Sequence, residues 1–130
     1  MNTLIDKMLS KKVWAVLGVS SNQEKYGYKI YKTLKRYGFT VFPINPNTDD
    51  VDGEVCYPDL KSLPQIPEVV NFVVPPEVTE NEIKKCFQLG IENLWMQPGS
   101  GSPAAVKFAK EKNMNVVYNK CVMIELRSKF

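Results

Sequence analysis

Short apolar runs recur along the chain, with helical patterns between them. Val13 to Gly18 reads VWAVLG, Thr40 to Ile44 reads TVFPI and Val69 to Val74 reads VVNFVV. A run of this kind suits a strand covered on both faces, as in a parallel sheet. Asn93 to Met96 and Val116 to Tyr118 continue the series. Pro43 in the second run is best tolerated near an edge or at a strand end.

The intervening segments predict helices. In Gly27 to Tyr37, Ile30, Tyr31, Leu34 and Tyr37 form one stripe, and Lys29, Lys32, Lys35 and Arg36 lie off it as a solvated face. Gly38 stands where a C-terminal glycine belongs. Thr79 to Leu89 opens on a Thr79/Glu82 capping box, turns Ile83, Cys86 and Phe87 inward and stops at Gly90. Ser102 and Pro103 start a helix that runs to about Lys112, with Asn113 as its left-handed terminator. Thr3 to Leu9 and Cys121 to Arg127 read as shorter helices. Asn45 to Pro67 holds four prolines and predicts only a turn of helix at Asp59 to Leu63.

Strands alternating with helices define an α/β fold. The expectation is a Rossmann-like parallel sheet of about five strands in the order 3-2-1-4-5, with helices on both faces. The 130 residues fit a single domain, 1–130. A chain of that size buries roughly two thirds of its unfolded surface, so it needs no disulfide or metal.

Composition narrows the chemistry. There are no histidines, which excludes Ser-His and Cys-His catalysis, imidazole metal sites and phosphohistidine. The net charge of +3 is too weak to imply nucleic-acid binding. Cys56, Cys86 and Cys121 form no Cys-x-x-Cys pair and are odd in number, so neither a disulfide framework nor a zinc site is expected. A reducing, cytoplasmic setting follows. Met1 to Lys12 has no long apolar core, and no run approaches membrane-spanning length, so neither a signal peptide nor a membrane span is expected.

In a parallel sheet the ligand lies outside the carboxyl ends of the strands. The loops that begin at Gly18, Asn45, Pro75, Gln97 and Asn119 are therefore the candidate site. The first loop offers Gly18, Val19, Ser20 and Ser21, then Lys25, Tyr26 and Gly27. It combines a close backbone approach, hydroxyls, a charge and a helix N-terminus, which together describe a pyrophosphate site. An ordinary turn between strand and helix also needs a glycine and a polar cap. The loop is neither Gly-x-Gly-x-x-Gly nor a P-loop. The second strand ends in Pro43-Ile44-Asn45-Pro46, without the acid that an NAD site places on the ribose. Pro75 and Pro76 form a stiff apolar wall or simply end a strand. Trp95 reads as core, whereas Gln97 at the strand end suggests ligand contact. Glu125 lacks a second acid beside it for acid–base work.

In this order and spacing, Gly18-Val19-Ser20, Lys25 to Gly27, Pro43 to Pro46, Val51 to Gly53 with Tyr57, Val74 to Pro76, Trp95 to Gly99, and Cys121 with Ile124-Glu125 carry a resemblance. The chain resembles the small stand-alone CoA-binding proteins, whose domain is similar to the nucleotide-binding domain of the succinyl-CoA synthetase alpha subunit. The resemblance implies CoA, or acyl-CoA, lying across the strand ends. Gly18, Ser20 and Lys25 would meet the phosphates, Asn45 and Pro46 the adenosine part, and Val74, Pro75 and Pro76 the nucleotide and the start of the pantetheine arm. Gln97 and Asn119 would lie further along. Ligase activity does not carry over, because the synthetase needs a second domain with a phosphorylated histidine.

The sequence reading is thus a CoA-binding protein without its own catalytic machinery, acting as carrier, sensor or accessory subunit. It has no metal and no nucleic-acid partner, with room for a protein partner or a homo-oligomer. The rivals are an NAD(P)- or adenine-nucleotide-binding regulator and an interaction module with a vestigial pocket. Cys86 should be an inert core thiol. Cys121, at the ligand edge beside Lys120, is either a small packing residue or a thiol that exchanges with CoA.

Overall fold

The computed structural model describes residues 3–129. Five strands, β1 (Val13–Leu17), β2 (Thr40–Ile44), β5 (Val69–Phe72), β6 (Asn93–Met96) and β7 (Asn115–Tyr118), form one sheet. All its pairings are parallel. The helices are α1 (Thr3–Leu9), α2 (Tyr26–Arg36), α3 (Pro76–Gln88), α4 (Pro103–Glu111) and α5 (Val122–Lys129).

Alternation along the strands divides the core in two. Trp14, Val16, Val69, Trp95 and Val117 point to the face covered by α1, α2 and α5. Ala15, Leu17, Val70, Leu94 and Val116 point to the face covered by α3 and α4. Every side chain of β5 and β6 is buried, which is why these strands read as unbroken apolar runs. The expected α/β sandwich is therefore present.

The strand order differs from the expected 3-2-1-4-5. It is β2-β1-β5-β6-β7, so the third long strand inserts between the first and the fourth. Pro43 gives the reason. It pairs in register with Val16, and its carbonyl accepts from Tyr57 N–H on the side away from β1. The nitrogen of Pro43 faces the same way and has no hydrogen to donate, so no full strand can add there. β2 must be the edge, and the fully apolar β5 takes the interior place. The switch point then lies between β1 and β5, as it does in sheets of order 2-1-3-4-5.

Three local expectations also change. α3 begins at Pro76, with Pro75 as its N-cap, rather than at Thr79. Proline at the first helical position loses no hydrogen bond and has its φ preset, so it overrides the Thr79/Glu82 capping box. Thr79 then falls inside the helix and is fully buried, and Glu82 pairs with Lys85 at 2.9 Å. Phe87 is exposed, with its ring edge-on to Phe108 and Lys112 above it. Tyr37 is exposed at the end of α2.

Lys32 and Lys35 do not face solvent alone. Two short strands, β3 (Asp50–Val51) and β4 (Glu54–Val55), make a hairpin with Asp52-Gly53 at its tip. Both tip residues have positive φ, 52° and 83°, as an Asp-Gly hairpin turn requires. Asp52 accepts from Tyr28 at 2.7 Å and lies 3.0 Å from Lys32. Glu54 accepts from Lys35 and Tyr31. The hairpin is thus tied to α2 by charge.

Hydrogen bonds from Tyr28 and Lys32 hold the Asp52 carboxyl below its ordinary range, and those from Lys35 and Tyr31 do the same for Glu54. A lowered folded pKa adds stability above the unfolded value, and that stability is lost as pH falls through the folded one. The double variant Asp52→Asn/Glu54→Gln should therefore be less stable than wild type at about pH 6. The gap should be smaller at about pH 3, as the wild-type carboxylates begin to protonate. Urea midpoints at the two pH values check this. An equal gap at both would mean that charge contributes nothing.

Candidate functional site

The five loops at the carboxyl ends of the long strands are cross-linked to one another. Gly18 and Val19 donate their N–H groups to Ile44 O at the end of β2. Asn45 Nδ2 returns a bond to Val19 O at 2.9 Å. Val74 N–H donates to Ser100 Oγ in the loop after β6. Gln97 Oε1 accepts from Asn71 at the end of β5 and from Val122 N–H at the start of α5. Tyr26 at the start of α2 reaches Cys121 after β7, with the hydroxyl 2.8 Å from Sγ.

The two loop glycines are required by the protein's own backbone. Gly18 has φ +100°, and a Cβ there would lie 2.3 Å from Val73 O. A Cβ on Gly27 would lie 2.2 Å from Gly18 O. The sequence reading assigned the absent Cβ of Gly18 to ligand approach. Loop-to-loop packing already demands it, because it lets the first loop lie directly on the loop after β5 at the switch point.

What remains open is the start of α2. No side chain caps it, and Lys25 is the N-cap residue with an exposed side chain. Tyr26, Gly27 and Tyr28 occupy the first turn, where N–H groups lack intrahelical partners. An uncapped helix start with a lysine beside it suits an anion. Gly27 is the second helical residue rather than the first. Ser20 Oγ accepts from Asn22 N–H and shapes the loop, while Ser21 is exposed.

The remaining predicted residues divide by place. Asn45 also accepts from Asn47 N–H, which leaves it as a staple between the first two loops, and Pro46 is exposed beside it. Val74 and Pro76 are half-buried and Pro75 is exposed, and the two prolines double as the start of α3. Asn119 has φ +62° and lines a cavity of about 650 Å³ between α4 and β7. The same cavity takes in Ser102, Val106, Lys110 and Tyr118. Asn119 thus stands on the same sheet edge as the first loop but at its far end. Trp95 is core, fully buried against Trp14.

Two linkers have no signal in the local sequence, Ser100 and the pairing of Tyr26 with Cys121. Nothing local marks Ser100 out within Pro98-Gly99-Ser100-Gly101. Tyr26 and Cys121 were each singled out, but 95 residues separate them. The three thiols differ. Burial pushes Cys56 and Cys86 up. Burial also raises Cys121, yet the Tyr26 hydroxyl and the nearby polar groups of Ile124, Gln97 and Met123 outweigh it and hold this thiol below its ordinary value. The Tyr26 hydroxyl is pushed up to about 12, chiefly by the same bond. Lys120 instead turns its carbonyl to Trp95 Nε1. Among the described residues no cluster could hold a metal ion, and no helix is long and apolar enough to cross a membrane.

A five-stranded parallel sheet with helices on both faces and an uncapped helix start at the carboxyl ends of its strands defines a Rossmann-like α/β domain. The chain belongs to the CoA-binding domain family, whose model matches residues 12–127. It is 26% identical over 106 residues to ADP-forming acetate–CoA ligase I of Archaeoglobus fulgidus, covering 82% of this chain and 16% of that protein. It is 28% identical over 92 residues to the alpha subunit of ADP-forming acetate–CoA ligase II of Pyrococcus furiosus, covering 70% of this chain and 20% of that one. The chain thus spans a fifth or less of these relatives. A conserved hypothetical protein of Pyrococcus furiosus matches in structure with a TM-score of 0.83 and 37% identity, over 88% of this chain and 98% of that chain.

Proposed function

We propose that this protein binds CoA, free or acylated, across the carboxyl ends of its strands and has no catalytic machinery of its own. The observation that carries the reading is the uncapped start of α2, with Lys25 at its N-cap, in a chain that the CoA-binding family covers from 12 to 127. The N–H groups of the first turn, with Lys25 and Ser20, would hold the phosphates. Asn45 and Pro46 would flank the adenosine part, and Val74, Pro75 and Pro76 the beginning of the pantetheine arm. Asn119 would lie along its continuation. Gln97, expected from the sequence to touch the ligand, is buried and would act from beneath by tying the loop after β6 to the start of α5. Absence of histidine removes the residue on which phosphoryl relay depends. The role that fits is a carrier, a sensor or an accessory subunit. The last has a parallel in the Pyrococcus furiosus relative, which is itself named as a subunit.

Native mass spectrometry of the purified protein tests the reading. A co-purified adduct with the mass of CoA or an acyl-CoA is the expected result, and an adduct of NAD mass would replace the reading with its rival. Lys25→Ala should leave the fold intact and weaken CoA binding about tenfold, ~1.4 kcal/mol. That is the scale of a charge-assisted bond at an exposed site. The loss should shrink in high salt. Titration calorimetry at two ionic strengths measures it, and unchanged affinity would move the phosphates away from α2.

A further inference from the structure

Cys121 sits in a built environment. Its Sγ is 2.8 Å from Tyr26 Oη. Gln97 is 1% exposed, and both bonds to its amide fall on Oε1. Its Nε2 is therefore buried without a partner, and it faces the Cys121 thiol. A packing cysteine needs neither of these donors. A thiolate, or a sulfur carrying a polar substituent, uses both.

We propose that Cys121 is a thiol-exchange site that takes the CoA half of CoA disulfide and keeps it as a mixed disulfide; this rests on the CoA-binding reading above. In the step, the Cys121 thiolate attacks one sulfur of the CoA disulfide. The Cys121–CoA S–S bond forms, the original S–S bond breaks, and the second CoA leaves as a thiolate that takes a proton from solvent. The CoA disulfide is the oxidant, and a dithiol reverses the step. Cys121 follows β7 at the edge where the nucleotide would lie, so a thiol at the end of the pantetheine arm belongs on this side of the sheet. Tyr26 lies against the sulfur, but the residue is 45% exposed and can move aside without opening the core.

The purified chain is incubated with CoA disulfide, and in parallel with glutathione disulfide, and followed by intact mass and peptide mapping. The expected result is one dithiothreitol-sensitive CoA adduct on Cys121, formed at least tenfold faster than the glutathione adduct. It should be absent in Cys121→Ser and kept in Cys56→Ser. Tyr26→Phe should shift the pH midpoint of Cys121 alkylation by iodoacetamide upward, because it removes a donor to the thiolate. No adduct in a protein that binds reduced CoA would overturn the proposal and leave CoA binding standing. Equal rates with the two disulfides would mean a reactive thiol with no CoA site behind it, which overturns both. An adduct mapped to Cys56 or Cys86 would return Cys121 to packing.

Discussion

Gly27→Ala should destabilise the protein by about 3 kcal/mol, the upper range for a forced fit in a packed region. That lowers the melting temperature by roughly 10 °C for a domain of this size. Helix propensity alone predicts the opposite sign. Gly27 is the second residue of α2, and alanine is favoured over glycine in a helix by up to about 1 kcal/mol. The tertiary structure decides the sign, because the added Cβ would stand 2.2 Å from Gly18 O and 2.9 Å from Gly18 C. Both are backbone atoms, so no side chain can swing aside. Gly18→Ala should cost at least as much, since a Cβ would meet Val73 O at 2.3 Å and φ is +100°. Gly53→Ala is the control. Its φ is +83° with nothing within 4 Å of the added atom, so it should lose only about 1 kcal/mol of backbone strain. Thermal unfolding of the three variants measures the ranking. A Gly27→Ala protein at or above the wild-type melting temperature would mean that the first loop does not rest on α2 as described.

The contrast between these glycines marks what could be read ahead of the structure. Apolar runs, helical stripes and caps placed the long strands and the helices of the described residues, because burial imposes their period on the sequence. Periodicity does not say which strands are neighbours. Pro43 carried that information, since a residue with no N–H to donate belongs at an edge, but it had to be weighed against a familiar strand order. The β3–β4 hairpin also had a local signal in Asp52-Gly53. Its two-residue strands are too short to show a period, and ion pairs to α2 hold it in place. The Thr79/Glu82 pair was a genuine cap signal that lost to Pro76. For the site, glycines, hydroxyls and prolines at strand ends were all visible. The convergence of Tyr26, Gln97 and Cys121 was not, because it depends on side chains from three loops meeting in space.

CoA itself should give an effect of similar size and opposite sign. A ligand that binds only the folded state stabilises it by about 2.7 kcal/mol at a hundredfold excess over its dissociation constant. For a domain of this size that raises the melting temperature by roughly 10 °C. NAD should do less, because the second strand ends in Asn45 and Pro46 rather than in an acid for the ribose hydroxyls. ATP presents a triphosphate without the pantetheine arm that the wall of Val74, Pro75 and Pro76 would line. The most direct measurement is thermal unfolding at matched millimolar CoA, NAD and ATP. The account predicts a rise with CoA that exceeds both others and that Lys25→Ala reduces. Identical melting temperatures with and without CoA, or a larger rise with NAD, would contradict it.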